Sequence, residues 1–365
     1  MKILLLTGSY PPMRCGVGDY AALLAEALAA LRDTEVAVIT DQRARMTRSA
    51  SNVELFPIAR GWAFSDLLQI LKTIRRWSPD VLHIQYPTKG YDGRFLPWLL
   101  PLALSVLRIP IVQTWHENFP MASRLRSLAI AIRPGRLVVV RPHYDAAISR
   151  WARLLVRPKR LRFIPNTSCL PRVELSDQDR RDIRRHLKSS ARYFVAYFCF
   201  IYPNKSVELL FDVADARQDH IVVIGEANPD HPYQRSVLER TQRDPWREKV
   251  TVTGFLPSEE VARLLAAVDA VVLPFRDGGG LWNTSLHGAT LQGTFVLTTS
   301  VERHGYDPSS NIYFAKPGDV TDMRAALRQY IGRRNAYPVS ERSASWEAIA
   351  HTHRRLYQSL LDKAE

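Results

Sequence analysis

The sequence predicts an α/β protein built from two Rossmann-like domains, each with a parallel sheet. Three observations carry this. Short apolar runs alternate with helical patterns along the chain, as expected for parallel strands buried on both faces. The alternation breaks once, at the charged stretch SDQDRRDIRRHLKSS (Ser176–Ser190), and then starts again. The length of 365 residues also exceeds what one hydrophobic core usually serves. The expected division is 1–175, a surface helix or linker over 176–190, a second domain over 191–340, and a terminal helix over 341–365 packing across the domain seam.

The elements follow in order. Ile3–Thr7 reads as a strand, and Asp19–Leu31 as a helix with Leu24, Leu28 and Leu31 on one face. Glu35–Thr40, Val81–Gln85, Ile111–Thr114, Leu137–Val140 and Arg162–Ile164 are further strands. The stretch FLPWLLPLALSVL (Phe95–Leu107) is too short for a membrane span and holds two prolines, so it reads as a buried helix on the sheet, with a membrane-dipping segment as the alternative. The second series is Tyr193–Phe198, Ile221–Ile224, Val250–Thr253, Ala270–Leu273, Phe295–Thr298 and Ile312–Phe314. Ser345–Leu361 is helical, with Trp346, Ile349 and Leu356 apolar.

Composition narrows the function classes. An apolar fraction of 46% and a charged fraction of 24% are those of an ordinary globular protein. Three scattered cysteines (Cys15, Cys169, Cys199) provide neither a disulfide framework nor metal-ligand spacing, which points to a reducing cytoplasm. The apolar run at the N-terminus is only four residues long and reads as a strand, not a secretory signal. The net charge of +14 is uneven: Glu117 to Lys188 holds 17 Lys or Arg against 6 Asp or Glu. A field of that kind over 124–188 suits an anionic membrane surface. Nucleic acid is not expected, because little aromatic interleaving accompanies the charge. A merely solvated basic face reads the same way.

In open parallel sheets ligands bind beyond the carboxyl ends of the strands, so the loops there carry the chemistry. The first, GSYPPMRCGVGDY (Gly8–Tyr20), can be a phosphate cradle, a gating loop or a tight turn, and lacks the GxGxxG spacing of a dinucleotide site. In QTWHENFP (Gln113–Pro120), His116 can act near neutral pH, with Glu117 to orient or charge it. His83 reads as a core histidine. In FCFIYPNKSVELL (Phe198–Leu210), Lys205 opens a helix and can point a charge at a phosphate. The strongest signal is LPFRDGGGLWNTSLHG (Leu273–Gly288): three glycines let backbone approach a ligand, and a helix starting near Asn283 adds free N–H groups suited to a diphosphate. The plainer reading is a glycine loop with an ordinary cap. No GxxxxGK[ST], HExxH or GxSxG motif is present.

Taken in order, SYPPMRCGVGDYAALLAEAL, VLHIQYP, WHE, FIPN, FIYPNKSVELL, IVVIGEA, VTVTGFLPSEEVARLLAAVDAVVLPF and QGTFVLTT resemble the family-4 retaining glycosyltransferases of the GT-B fold, over nearly the whole chain to about residue 320. The resemblance implies two Rossmann-like domains facing across a cleft, the second holding a nucleotide-diphosphate sugar and the first shaping the acceptor side. It implies catalytic roles for His116, facing the transferred sugar, and Lys205, neutralising the diphosphate leaving group. The implied substrate-binding residues are Gly16, Val17, Asp19, Glu117, Asn166, Glu226, and the loop Gly279, Gly280, Leu281, Trp282, Asn283 and Thr284 as diphosphate cradle. Neither metal nor bound cofactor is implied; the nucleotide-diphosphate sugar is the donor substrate.

The chain departs from the family pattern at three sites, one of them a residue pair. Cys199-Phe200 replaces its glycine–arginine pair, and its two E-x7-E glutamates fall on Gly280 and Gly288. Ribose binding is therefore rearranged. The resemblance implies a metal-independent, retaining hexosyltransferase in polysaccharide or glycolipid biosynthesis, acting on a glycan or lipid-linked acceptor at the inner membrane face. The departures raise one alternative, a non-catalytic relative that binds nucleotide or glycan and supports a partner enzyme.

Overall fold

The computed structural model describes every residue except 47–51, 92, 118–134, 143, 145–159, 188, 281, 336–344 and 363–365. The chain divides into two units, Met1–Asn166 with Arg342–Glu365, and Thr167–Glu341.

The first unit is a parallel sheet of seven strands. These are β1 (Lys2–Leu6), β2 (Glu35–Asp41), β3 (Val53–Ala59), β4 (Val81–Tyr86), β5 (Ile111–Trp115), β6 (Arg136–Val139) and β7 (Leu161–Phe163), in spatial order β3-β2-β1-β4-β5-β6-β7. The reversal of direction beside β1 is where such sheets open a crevice for ligands. Strand pleat divides the core in two. Leu4 and Leu6 face Ile70 and Ile74 of α2 (Leu67–Trp77) and Leu96, Leu100 and Leu104 of α3 (Leu96–Leu104). Ile3 and Leu5 face Tyr20, Leu24 and Leu28 of α1 (Gly16–Ala29). The same layer holds Ile349, Ala350 and Tyr357 of the C-terminal helix (Trp346–Leu361), which lies beside α1 within this unit.

Two strands have no counterpart in the expectations. β3 contains Pro57, which a strand tolerates at a sheet edge because no ladder N–H is lost there. In the second unit, β13 (Gly305–Asp307) is three residues long and antiparallel. The helix expected from Asp19 begins at Gly16, after the N-cap Cys15.

The second sheet also has seven strands, ordered β10-β9-β8-β11-β12-β14-β13. They are β8 (Tyr193–Phe198), β9 (Asp219–Ile224), β10 (Val250–Val252), β11 (Ala270–Leu273), β12 (Val296–Thr299), β13 and β14 (Ile312–Ala315), parallel except for β13 on β14. Its helices are α4 (Asp177–His186), α5 (Leu210–Val213), α6 (Pro232–Thr241), α7 (Ser258–Ala267), α8 (Thr284–Leu291) and α9 (Val320–Tyr330). α4 covers the stretch read as a linker. Ser176 and Asp179 cap it reciprocally. Arg184 ties it down through Asp269 at 3.0 Å, whose other oxygen accepts from the Phe194 N–H at 2.7 Å. Part of the basic tract, 124–134 and 145–159 above all, lies outside the described residues. Of the part that is described, Arg184 and Arg185 are already paired, with Asp269 and Asp182.

Candidate functional site

In the first unit the loop after β1 and the turn after β4 are pressed together. A Cβ on Gly90 would lie 1.7 Å from the Gly8 carbonyl oxygen, and one on Gly8 would lie 2.1 Å from Thr88 Oγ1. The Gly90 N–H donates to Ser9 Oγ at 2.7 Å. Gly8, which sequence reasoning left without a role, is thus the glycine that close approach demands in this loop. Gly16 and Val17 open α1, whose N-cap makes no side-chain hydrogen bond. Asp19, in its first turn, is mostly buried without a hydrogen bond to its carboxylate among the described residues, and burial pushes its pKa up to about 6.

His116 follows β5. Its backbone N–H donates to the Tyr86 carbonyl at 2.8 Å, and its Nε2 lies 2.9 Å from Gln85 Oε1. The Tyr20 ring meets it edge-on at 4.6 Å. Burial, with His353 nearby, holds its pKa down at about 3, so the ring is neutral. Among the described residues Glu117 does not orient it: its side chain is exposed, and its carbonyl accepts from the Tyr144 hydroxyl at 3.1 Å. Gln85, on the neighbouring strand, does what the sequence assigned to Glu117. His83 is a core histidine, with Nδ1 2.7 Å from the Tyr357 hydroxyl and Nε2 2.7 Å from Thr114 Oγ1. Asn166 is buried where the first unit ends.

In the second unit Lys205 and the loop after β11 come together. Lys205 Nζ stands 4.5 Å from the centre of the Phe275 ring, and the Arg276 N–H donates to the Asn204 carbonyl at 3.1 Å. Gly279 lies against the same ring, where a Cβ would come within 2.5 Å. The glycine N–H groups, expected to cradle a diphosphate, are engaged inside the protein. Gly278 donates to Phe275 O, Gly279 to Thr299 O at 2.7 Å, and Gly280 to Asn283 Oδ1 at 2.9 Å. Asn283 is therefore spent on closing the loop and offers α8 no side-chain cap. The N–H groups of Thr284 and Ser285 have no acceptor among the described residues, so the open backbone donors of this segment lie at the helix N-terminus. Trp282 covers Gly280, and Leu281 lies outside the described residues. Glu226 follows β9 and is exposed.

Comparisons with known proteins decide the class. The description "Glycosyltransferase Family 4" matches residues 15–167, and "Glycosyl transferases group 1" matches residues 192–333. The chain is a GT-B glycosyltransferase. The fold of this GT-B glycosyltransferase resembles HepE of Anabaena in complex with UDP and glucose (TM-score 0.72, 17% identity, 98% of this chain and 100% of that one). It also resembles sucrose-phosphate synthase from Thermosynechococcus elongatus (TM-score 0.73, 19% identity, all of both chains). In sequence it is 22% identical to a 2-deoxystreptamine glucosyltransferase of Streptomyces kanamyceticus over 330 residues, 82% of this chain and 81% of the relative.

Within this transferase Gly280 and Gly288, where the resemblance implies the family's two glutamates, are closely packed. A Cβ at Gly288 would come within 2.9 Å of Leu170 Cδ1, and one at Gly280 within 2.3 Å of the Trp282 ring. Gly288→Glu should therefore destabilise the protein by about 2 kcal/mol through overpacking, with no gain in UDP affinity. Urea denaturation and UDP titration read the two effects; tighter UDP binding at unchanged stability would show that the site accepts the glutamate. Among the described residues, no three acidic, histidine or cysteine side chains gather as metal ligands, and no helix is long and apolar enough to cross a membrane.

Proposed function

We propose that this glycosyltransferase is a retaining hexosyltransferase, moving a hexose-type sugar from a nucleotide-diphosphate sugar to a glycan or lipid-linked acceptor. The bond from the sugar C1 to the diphosphate breaks and a bond from C1 to an acceptor hydroxyl oxygen forms. The hydroxyl proton leaves with the diphosphate. Lys205 and the N–H groups of Thr284 and Ser285 take the negative charge of the leaving group, the part a metal ion plays in other transferases. His116 meets a hydroxyl of the sugar. Acceptor and enzyme meet at the cytoplasmic face of an anionic membrane, helped by the basic tract over 124–188. The relatives' UDP, glucose and glucosyl chemistry supports the donor class.

The observation that carries this reading is the position of Lys205 beside Phe275 in the segment that ends at α8. A thermal-shift panel of UDP, GDP, ADP and their hexose conjugates tests it. One nucleotide family should stabilise the protein by several degrees, about 2.7 kcal/mol at a hundredfold excess over Kd. The absence of a shift with every ligand would remove the donor-site assignment. The packed Gly280 and Gly288 favour the second reading, a nucleotide-binding relative without turnover. A shift with UDP-glucose but no release of UDP or glucose would select it.

A further inference from the structure

Buried polar groups extend inward from His116 and end on the C-terminal helix. Gln85 and His83 are both 0% exposed, one residue apart on β4. Gln85 Oε1 lies 2.9 Å from His116 Nε2, Gln85 Nε2 lies 3.2 Å from His83 Nε2, and His83 Nδ1 lies 2.7 Å from the Tyr357 hydroxyl. Thr114 Oγ1 sits 2.7 Å from His83 Nε2 and can donate to it.

The donor and acceptor rules allow one direction for a chain with this amide orientation. A carboxamide nitrogen can only donate, so His83 Nε2 presents a lone pair and its proton lies on Nδ1, directed at the Tyr357 oxygen. A carboxamide oxygen can only accept, so His116 carries its proton on Nε2. Among the described residues the His116 ring bonds through Nε2 alone, so Nδ1 is left as an acceptor. A reversed tautomer would set two donors or two acceptors against each other at the fully buried Gln85 and His83.

We infer that Gln85 is a positioning residue that holds His116 as the Nε2–H tautomer, and that His83 and Tyr357 hold Gln85. This rests on the reading of His116 as the group that meets the donor sugar. It gives that reading a direction: Nδ1 accepts a hydrogen bond from a sugar hydroxyl, and the C-terminal helix sets the acceptor from inside the protein. Tyr357 is fully buried and belongs to the helix layer, so its effect reaches the sugar only through the chain.

Ring nitrogen NMR of the full-length protein, with Tyr357→Phe and Gln85→Leu, tests this alongside turnover of UDP-glucose. In the wild type at pH 7, His116 should be protonated on Nε2 and bare on Nδ1. Tyr357→Phe removes the acceptor of the His83 Nδ1 proton. That proton should move to Nε2, Gln85 should turn over, and His116 should shift toward Nδ1–H. The kcat should fall roughly tenfold with the KM for UDP-glucose within about twofold, since orientation and not binding is lost. Gln85→Leu should do the same, and a dispersed NMR spectrum shows that each variant is folded. His116 protonated on Nδ1 in the wild type would overturn the inference. So would a folded Tyr357→Phe that changes neither tautomer nor kcat. The expected tautomers without UDP-glucose turnover in the wild type would uphold the hydrogen-bond chain and count against the transferase reading alone.

Discussion

Replacing Lys205 by Ala or Met should lower kcat/KM for the sugar nucleotide about 100- to 1000-fold, a loss of about 3–4 kcal/mol of transition-state stabilisation. The magnitude follows from what else can meet the departing charge in the second unit. The glycine N–H groups of the loop are engaged with Phe275, Thr299 and Asn283, and Cys199-Phe200 supplies no cation where the family has an arginine. The groups placed to meet it are then the Lys205 ammonium and the Thr284 and Ser285 N–H groups, with the exposed Arg276 on the same loop. Phe275 keeps the ammonium in place, and Phe275 is itself packed by Gly279. Stability should fall by only about 1–2 kcal/mol, the worth of a cation–π contact made by a half-buried ammonium over the buried Phe275 ring. Steady-state kinetics with the nucleotide sugar that gives the largest thermal shift, together with urea denaturation, separate the two. A kcat/KM within about threefold of the wild type would remove Lys205 from the chemistry.

Acidification should destabilise the protein through the buried histidines of the first unit. His83 and His353 are fully buried with ring centres 5.5 Å apart, and the half-buried His116 adjoins them through Gln85. Burial lowers all three pKa values, to about 3 for His116 and about 4 for His353. His353 Nδ1 bonds the Ile349 carbonyl at 2.9 Å, and its Nε2 has no partner among the described residues. In the unfolded chain each histidine takes a proton below about pH 6.5, whereas the folded protein refuses it until far lower pH. The unfolded state thus binds more protons, and stability falls as pH drops from about 6.5 toward 4, by about 1.4 kcal/mol per pH unit for each histidine.

Asp19 works in the opposite sense. Its folded pKa of about 6 lies above the unfolded value, so folding takes up a proton there in the same range and offsets one histidine. A net slope of about 2–3 kcal/mol per pH unit remains. Urea denaturation at pH 7, 6, 5 and 4 measures it, and His353→Leu should flatten the slope by about one proton. Equal stability at pH 7 and pH 5 would contradict the buried cluster.

Much of the fold is legible in the residues. VLHIQ and AVVL read as strands because a parallel strand is covered on both faces and needs an unbroken apolar run. The strand ends then locate His116, Lys205 and the Leu273–Gly288 loop. VELFPIA does not read as a strand, because Glu54 and Pro57 interrupt it; the edge of the sheet makes both acceptable. Ser176–Ser190 reads as a linker because its charges look solvated, and only the fold brings Asp269 to Arg184.

The amino-acid sequence by itself determined the two α/β series, the transferase class that their motifs resemble, and the residues at the strand ends. Those follow from local patterns, in which burial and turn chemistry are written over a few neighbouring positions. The tertiary structure alone decided which groups those residues touch. His116 is oriented by Gln85 and not by adjacent Glu117, because strand order sets β4 beside β5 and pairs Tyr86 with Trp115. The loop glycines spend their N–H groups on Thr299 and Asn283, so the open donors lie at the start of α8. Tyr357 reaches His83 across 274 positions because the C-terminal helix lies against the first sheet. Contacts of that kind are fixed by sheet order and helix packing, which no short stretch of sequence encodes.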